Sequence, residues 1–265
     1  MERRSALLAT ASTQVVEFDI NNYLTIVALE DGLTAALSGN TVEYCVDGDG
    51  NWKSLASNTN TESINKGQTL SFRGNLTPTS IKGVGTFTIS KSCELTGNCN
   101  SILFGDDAVN NNSLSGKDYA FYYLFYNCTT IKNVSSNFLP ATTLANHCYC
   151  FMFQGCRSLT TAPELPATTL ASNCYYYMFY NCKALTTAPQ LPATTLASYC
   201  YNYMFYGCSK LNYIKALFTT TPSSSYTNTW VSGVAKSGTF VKNKNATWNV
   251  TGTSGIPSGW TVQTA

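Results

Sequence analysis

The sequence predicts an α/β repeat solenoid built from short strands and short helices, with an N-terminal all-β domain before it and a C-terminal β cap after it. Three observations predict this fold: a seven-residue string that recurs at a fixed step, a second recurring marker that ends in cysteine, and β-like segments on both sides of the repeats. Stacked repeats bury one continuous core, so terminal units must cover its open ends. The predicted boundaries are an arm at 1–16, a β-sandwich-like domain at 17–90, the solenoid at 91–218 and the cap at 219–265.

The composition favours a globular protein that meets neither nucleic acid nor the interior of a membrane. Of the 265 residues, 44% are apolar, which can fill a core, and only 11% are charged, with a formal net charge of +2. A binder of nucleic acid or anionic lipid usually carries a basic patch, which this balance does not provide. No apolar run approaches the roughly 18 residues that span a bilayer. We therefore expect no nucleic-acid partner and no membrane insertion.

The first residues resemble an export signal without completing one. Met1 to Arg4 include two arginines, and a short apolar stretch follows them before Ala11. A signal peptide normally has an apolar region of about 7 to 15 residues, and this one has about four. Residues 1–16 are therefore predicted to form a docking arm that binds a partner, since such arms commonly become ordered only on docking.

Residues 17–90 are expected to form a small β-sandwich. Four segments, at 23–28, 41–46, 70–73 and 85–89, combine β-branched or aromatic residues with Gly or Asp turns between them. The turn at 47–51 resembles the beginning of a calcium loop, but Trp52 stands where that loop requires glycine and no matching Glu follows. We interpret it as a hairpin turn.

The repeats are defined by two markers. The string Leu-Pro-Ala-Thr-Thr-Leu-Ala begins at Leu139, Leu165 and Leu191, in steps of 26 residues. The pattern aromatic-x-x-(Met or Leu)-Phe-x-(Gly or Asn)-Cys ends at positions 128, 156, 182 and 208, so at least four units are present. A step of this length is typical of a solenoid.

Positions that stay constant from copy to copy predict the inward face of a helix. In each copy they fall at i, i+1, i+4, i+5, i+8, i+9 and i+12, the spacing of an apolar helical stripe of about three turns. The segment after it, 159–163 in the first full copy, is β-branched and ends with proline, which predicts a short strand. The predicted structural ladder consists of Cys148, Cys174, Cys200, Cys156, Cys182, Cys208, Met152, Met178, Met204, Phe153, Phe179 and Phe205.

Positions that vary from copy to copy are expected to face solvent. Tyr176, Tyr180, Tyr199 and Tyr206 occupy such positions, and the first full copy has Cys, Gln or His there, so ladder packing does not require aromatic rings. Clusters of exposed aromatic side chains mark interaction sites. We therefore predict that these four tyrosines form a binding surface, with packing between neighbouring helices as the alternative explanation.

The 11 cysteines are interpreted as buried free thiols rather than as a metal site or a disulfide framework. Six of them recur at two ladder positions, where a small apolar side chain fits an internal core. Their spacing of eight residues within a repeat does not match the short cysteine pairs of zinc sites, and the chain has one histidine. Disulfides between stacked units, such as Cys148 to Cys174, remain the alternative, since stacking brings like positions to roughly 5 Å.

No set of residues in the sequence predicts an active site, a metal site or a bound cofactor. His147 lies at a varying, outward position, so neither a Ser-His-Asp nor a Cys-His device is supported. Asp106 and Asp107 are adjacent carboxylates in a Gly/Asn loop, where such residues are usually solvated. The chain is therefore predicted not to be an enzyme.

At its repeats the chain resembles the BspA-type leucine-rich repeats of Bacteroidetes surface proteins and of the phages that infect these bacteria. The hallmark, Phe-x-Gly-Cys-x-x-Leu before a short strand, stands at 153–159, and it recurs in related form at 179–185 and 205–211. The resemblance covers roughly residues 117–218. It implies leucine-rich-repeat-like coils, a C-terminal closing module that includes Trp248 and Trp260, and display outside the bacterial cytoplasm.

Two functions follow from this resemblance. The first is a non-catalytic structural protein of a phage virion, a head or tail fibre or a decoration protein. It would join other virion proteins through its arm and present the solenoid for host attachment to a surface glycan or protein. The second is a secreted adhesin of the bacterial cell surface, but neither an export signal nor a sorting tail is evident, so the virion is favoured. A glycan-cleaving enzyme would need paired carboxylates on one groove, and the repeats contain almost no acids.

Overall fold

The computed structural model describes residues 18–265, and the predicted docking arm at 1–16 lies outside the described residues. Small sheets and turns make up most of the described chain. Within it, no helix combines the length and the apolar character needed to cross a bilayer. The strands are β1 (Leu24–Ala28), β2 (Ala35–Leu37), β3 (Val42–Val46), β4 (Lys53–Leu55), β5 (Thr69–Arg73), β6 (Phe87–Ile89), β7 (Cys93–Gly97), β8 (Ile131–Val134), β9 (Tyr213–Ala216), β10 (Thr239–Lys242) and β11 (Thr261–Thr264).

The N-terminal strands form a six-stranded sheet in the order β4-β3-β5-β1-β7-β8, with a separate two-stranded sheet of β2 and β6. β1 pairs antiparallel with β5 and with β7, so that Ile26 lies opposite Leu70 on one side and Leu95 on the other. All three side chains are buried, as expected for apolar residues on the covered face of a sheet. β1, β3, β5 and β6 coincide within two residues with the segments predicted as β.

The sheet and the repeats share one core, because the sixth strand comes from the repeated part of the chain. β8 pairs in parallel with β7. In addition, Phe87 of β6 stacks on Phe125 of the first repeat, with ring centroids 5.6 Å apart. The six-stranded sheet therefore continues beyond residue 90, where the sequence predicted a domain boundary.

The prediction of an α/β repeat solenoid is wrong, because the repeats have no layer of α-helices. In the part of the chain that the structure describes, helix is confined to α1 (Ser101–Phe104), α2 (Ser224–Thr227) and four short 3-10 segments. The predicted first helix is instead a continuous run of turns over 146–155. Of the strands predicted in the repeats, only the first and the last form, as β8 and β9, whereas the two between them contribute isolated bridges such as Asn133 to Thr161, so no continuous sheet follows the repeats.

The backbone of each repeat turns left-handed at every fourth residue, which an α-helix does not allow. φ is 57° at His147, 59° at Phe151 and 74° at Gly155, and corresponding residues of the next two copies, at 173–181 and 199–207, have similar values. A residue other than glycine adopts this conformation at a cost of about 1 to 2 kcal/mol. Its recurrence therefore requires a stabilising contribution from elsewhere in the structure.

Alternating backbone hydrogen bonds supply that contribution. The N–H of Phe153 donates to the carbonyl of Met178 in the following repeat at 3.0 Å, whereas the N–H of Met152 donates to Tyr149 of its own repeat at 3.2 Å. The same alternation runs from 147 to 156 and recurs in the other copies. Buried amide groups must be paired, and this arrangement pairs every second one across the stack. Each run of turns is thus stabilised by the repeat beside it.

Two columns of buried aromatic rings form the core of the repeats. Neighbouring rings in each column are nearly parallel, with centroids 5.5 to 5.9 Å apart. Both columns end on Trp230, whose Nε1 donates to the carbonyl of Gly255 at 2.9 Å. The first column is Phe125, Phe153, Phe179 and Phe205, and the second is Phe121, Tyr149, Tyr175 and Tyr201.

The C-terminal region closes this core with a small parallel sheet and three tryptophans. β10 lies between β9 and β11 and pairs in parallel with both. The indole N–H of Trp248 donates to the carbonyl of Phe218 at 3.2 Å, and that of Trp260 donates to Ala235 at 2.8 Å. Each indole therefore buries its ring while keeping its one polar group paired, which favours this role at the end of a core.

Asparagine and glycine alternate along one left-handed column of the repeats, at Asn127, Gly155, Asn181 and Gly207. A Cβ added to Gly155 would overlap the Oδ1 of Asn127 and lie 3.1 Å from its Cγ, and a Cβ on Gly207 would meet Asn181 in the same way. Each asparagine side chain thus occupies the space that the glycine of the following repeat leaves free.

We expect Gly155→Ala to lower the free energy of unfolding by about 2 to 5 kcal/mol, because it adds the overlap with Asn127 to the strain of a left-handed backbone. Gly116→Ala is the matched control: Gly116 has φ 71° and nothing within 4 Å of its missing Cβ, so it should lose only about 1 to 2 kcal/mol. Urea denaturation measures both losses. Adding Asn127→Gly to Gly155→Ala should restore the part of the free energy of unfolding that is lost to the overlap. Equal losses for Gly155→Ala and Gly116→Ala would contradict the fit of the Asn127 side chain against Gly155.

Candidate functional site

The turns of the four repeats place partly exposed rings on one side of the molecule, which we call the turn face. Its side chains belong to residues at the left-handed positions or directly before them. None of them is fully buried. The turn face consists of Tyr119, Tyr123, Tyr126, His147, Phe151, Tyr176, Tyr177, Tyr180, Tyr199, Tyr203 and Tyr206.

Most rings of the turn face stack on one another. One column runs through Tyr123, Phe151, Tyr177 and Tyr203, with centroids 4.8, 5.0 and 4.4 Å apart. Such contacts cover the faces of the stacked rings and fix their orientation. The turn face is therefore a rigid aromatic surface rather than a set of independent side chains.

The structure divides the four tyrosines predicted as a binding surface into two pairs. Tyr180 and Tyr206 stack on each other, with centroids 4.8 Å apart and planes within 5°. Tyr176 and Tyr199 both line a concavity of about 530 Å³. The predicted helix face does not exist, so all four reach the surface from turns.

The concavity is lined by neutral side chains only. Six of them come from Asn173, Tyr176, Tyr199, Asn202, Tyr203 and Asn228, and the first two residues of α2 complete the wall. Its size is within the range of about 300 to 1,000 Å³ that small-molecule sites occupy. Hydroxyl and amide groups dominate its chemistry, so it can offer both hydrogen-bond donors and acceptors.

Hydrogen bonds hold two of the asparagines in place. Asn202 is buried; its Oδ1 accepts from the N–H of Asn228 at 2.7 Å, and its Nδ2 donates to the carbonyl of Ser224 at 3.2 Å. The Nδ2 of Asn228 donates to the hydroxyl of Tyr203 at 3.2 Å. These contacts fix the amide planes before any ligand arrives, which lowers the entropic cost of binding.

Sequence reasoning missed six residues of this site: Asn173, Asn202, Tyr203, Ser224, Ser225 and Asn228. Tyr203 belongs to a column that is aromatic in all four copies, and this repetition at 123, 151, 177 and 203 was a signal that could have identified it. Asn202 replaces the Tyr or Cys of earlier copies and looked like ordinary surface variation. Asn228 lies outside the recognisable repeats, so no internal comparison could align it with the site.

All eleven cysteines lie in the described part of the chain, and each is buried with a free thiol. Burial raises the pKa of Cys148, Cys200 and Cys208 to about 12, and it raises the pKa of Cys156, Cys174 and Cys182 in the same direction. The thiols of Cys156, Cys182 and Cys208 donate to backbone carbonyls of the preceding repeat at 3.2, 3.1 and 3.0 Å. The Met and Phe residues of the predicted ladder are also fully buried.

The single histidine has no catalytic surroundings among the described residues. The ring of His147 stacks on Tyr119 with centroids 4.6 Å apart. Burial lowers its pKa, and the charge of Asp118 opposes this shift. Its Nδ1 is buried without a hydrogen-bond partner in the described part of the chain. Stacking is thus the contact that the structure assigns to this imidazole.

Asp106, the first of the two adjacent carboxylates singled out in the sequence, stabilises its loop through hydrogen bonds. Asp106 accepts two hydrogen bonds from Arg73, at 2.9 and 3.0 Å, and a third from the hydroxyl of Tyr23 at 2.9 Å. Burial and the nearby Asp106 raise the pKa of Tyr23 to about 12.

In the loop at 47–51, Asp49 accepts from the N–H of Asn51 at 2.8 Å, and the loop joins the antiparallel strands β3 and β4 as a hairpin. Within residues 18–265, no cluster of three or more His, Cys, Asp or Glu side chains is arranged to hold a metal ion.

Comparison of the chain with models of known protein families, with curated proteins and with solved structures gave no match. The concavity and the turn face are therefore interpreted from their own geometry.

Proposed function

We propose that the protein is a non-catalytic structural and recognition protein of a phage virion, a head or tail fibre or a decoration protein, and that the turn face contacts the host surface or a neighbouring subunit. The observation that carries this proposal is the aromatic turn face, which extends over all four repeats. Aromatic rings provide much contact area at a small loss of side-chain entropy. Because stacking already orders these rings, binding needs little further ordering.

The state of the cysteines supports folding in a reducing compartment. Before its core closes, the unfolded chain exposes eleven thiols, and an oxidising compartment would cross-link them in many wrong combinations. A virion protein folds in the cytoplasm of the host cell, where thiols stay reduced. The alternative function, a secreted adhesin of the bacterial surface, would have to fold after export with all of these thiols present.

The turn face also supports a binding role rather than a catalytic one. Among the described residues, the carboxylate of Asp118 acts on His147 of the turn face through its charge, without a hydrogen bond to its Nδ1, whereas glycoside hydrolysis uses a pair of carboxylates on one groove. The one imidazole is stacked and only half-buried. The surface therefore offers contact area and hydrogen bonds but no acid and base pair.

Replacing Tyr176, Tyr180, Tyr199 and Tyr206 together by serine should weaken attachment to host cells or to the neighbouring subunit by at least about tenfold. The free energy of unfolding should change by less than about 2 kcal/mol, because the four rings are partly exposed. The control replaces four exposed threonines away from the turn face, Thr160, Thr161, Thr186 and Thr187, by serine. Unchanged attachment by the folded tyrosine variant would contradict the role of the turn face.

Deleting residues 1–12 should leave a folded protein that no longer joins its particle, since the arm is proposed to bind other virion proteins. Mass spectrometry of purified phage particles and of bacterial surface fractions measures incorporation of the full chain and of the truncated one. Circular dichroism of the truncated protein controls for folding. Normal incorporation of the truncated protein would remove the arm from the proposal, and recovery of the full chain only in bacterial surface fractions would favour the adhesin.

A further inference from the structure

The concavity beside Tyr199 lies at a gap in a column of rings. In the first two repeats, Tyr119 and His147 occupy this column and stack with centroids 4.6 Å apart. The third repeat has Asn173 at the same position, and the N–H of Tyr199 in the fourth repeat donates to the carbonyl of Ser225 on its other side. Tyr199 thus has no aromatic neighbour in its own column.

Tyr199 differs in this respect from the rest of the turn face. Its side chain is 48% exposed, the most of any tyrosine in the described part of the chain. Tyr180 and Tyr206 cover each other's rings, but Tyr199 stacks on no ring among residues 18–265. The face of this ring is consequently available to a ligand, and the concavity provides the volume for one.

We infer that this concavity binds a neutral saccharide, with a pyranose ring lying against Tyr199 and its hydroxyl groups bonded to the asparagine side chains. The inference rests on the proposed function, because it names the class of ligand for the same surface. A pyranose has one side made of C–H groups, which packs on an aromatic face, and an edge of hydroxyls that both donate and accept. The uncovered face of the Tyr199 ring can pack on the C–H side of the sugar. The asparagine amides beside it can form hydrogen bonds with the hydroxyl edge.

The neutral lining of the concavity disfavours anionic ligands. No charged side chain lines the concavity, and a phosphate or carboxylate placed there would lose its hydration without gaining a cation in return. A saccharide with only hydroxyl or acetamido groups avoids this loss. The site therefore favours uncharged hexoses and N-acetylhexosamines over sialylated or phosphorylated ones.

The polar wall decides against an aromatic peptide side chain. Such a ring would fit the gap in the column. The Nδ2 groups of Asn173 and Asn228 already donate to Ser172 and Tyr203, but each has a second donor hydrogen, which an aromatic ring would cover and could not bond. A buried amide left without a partner costs about 1 to 3 kcal/mol. Hydroxyl groups around the edge of a sugar ring satisfy these amides, so the same wall that disfavours an aromatic side chain stabilises a saccharide.

The test uses the full chain and a panel of neutral trisaccharides of glucose, mannose, galactose and N-acetylglucosamine. At least one of them should bind with a Kd of about 1 mM or tighter in isothermal titration calorimetry and ligand-observed NMR. Tyr199→Ser should weaken this binding at least about tenfold, because it removes the aromatic platform. Asn173→Tyr should weaken it as much by filling the gap, without lowering the thermal unfolding midpoint, since tyrosine already adopts φ near 56° at position 199.

Tyr180→Ser is the matched control, because Tyr180 lies on the turn face outside the concavity; it should change the Kd by less than about twofold. Absence of binding by every trisaccharide at about 10 mM overturns the inference, as does binding that survives both Tyr199→Ser and Asn173→Tyr. Preferential binding of a sialylated trisaccharide or of a tyrosine-containing peptide would overturn it as well.

If no saccharide binds while the four-tyrosine variant still loses attachment, the saccharide is wrong and the proposed recognition function stands with a protein ligand. If a trisaccharide binds as expected but attachment does not depend on the turn face, the proposed function is wrong and the site remains.

Discussion

Raising the pH above 9 is expected to unfold the protein cooperatively before pH 12, because its thiols ionise in the unfolded chain and not in the folded one. Burial raises the pKa of Cys148, Cys200 and Cys208 from the ordinary 9.0 to about 12. Below pH 9 these groups are protonated in both states, so their contribution to stability is complete there. Above pH 9 the unfolded chain releases protons that the folded chain retains, and the free energy of unfolding falls with each further increase.

The expected loss is as large as the whole stability of a typical domain. A pKa raised by three units corresponds to about 4 kcal/mol for each thiol once the pH reaches the folded value, and three such thiols remove about 12 kcal/mol. Typical domains have a free energy of unfolding of only about 5 to 15 kcal/mol. The buried thiols of Cys156, Cys174 and Cys182 shift in the same direction, so unfolding should begin well below pH 12.

A pH titration followed by near-ultraviolet circular dichroism and by thiolate absorbance measures this effect. The two signals should change together, because thiolate forms only as the core opens. The chain in guanidinium chloride is the reference, and there the thiols should ionise near the ordinary pKa of 9.0. A rise of thiolate absorbance near pH 9 that leaves the circular dichroism of the folded protein intact would show that the thiols are not buried as described.

Replacing Phe179 by alanine should lower the free energy of unfolding by about 3 to 5 kcal/mol, the range for a buried aromatic residue. Phe179 is fully buried, and its ring lies between Phe153 and Phe205 with centroids 5.7 and 5.8 Å apart. The cavity would interrupt the column in the middle, where neither neighbour can fill it. The adjacent residue is the control: Tyr180 is only partly buried, and Tyr180→Ala should cost about 1 kcal/mol or less.

Chemical denaturation of the two variants at neutral pH gives both values under the same conditions. The residues are neighbours in the chain and both are aromatic, so differences in local backbone propensity are small. Similar losses for Phe179→Ala and Tyr180→Ala would mean that the inward and outward positions are assigned incorrectly.

The sequence predicted which residues share a column and misjudged the local structure that carries them. Constant positions of the repeats, such as Cys148, Met152 and Cys156, are all fully buried. Their spacing is four residues, and in an α-helix each such step rotates the side chain by about 40°. Over the twelve residues from Leu144 to Cys156 the constant side chains would drift by about 120° around an α-helix, beyond an apolar stripe about 100° wide. A run of four-residue turns keeps all three side chains on the same side, so the strict spacing was the signal against a helix.

The candidate site was predictable only in part, for a related reason. Tyr176 and Tyr199 were identified because they vary between copies, and both line the concavity. The gap that exposes Tyr199 depends on which side chain lies beside it in the next repeat, which cannot be inferred while the repeats are treated as helices. The contribution of Asn228 depends on how the C-terminal region folds back on the last repeat, and no periodic pattern extends that far.

The alternation of Asn127, Gly155, Asn181 and Gly207 has a consequence for how this protein can change its length. The repeats look equivalent in their apolar residues, yet they are of two kinds, and two repeats of the asparagine kind cannot follow one another. Duplicating the repeat of Asn181 alone would place two asparagines in succession, and the second would collide with the side chain of the first, as an added Cβ at Gly155 does with Asn127. Glycine after glycine is tolerated, since Gly207 and Gly233 already follow one another, with a Cβ at Gly233 lying 3.4 Å from the Cα of Gly207. The constraint on growth is therefore one-sided: a repeat that carries glycine can be added next to either kind, whereas a repeat that carries asparagine can be added only between two repeats that carry glycine.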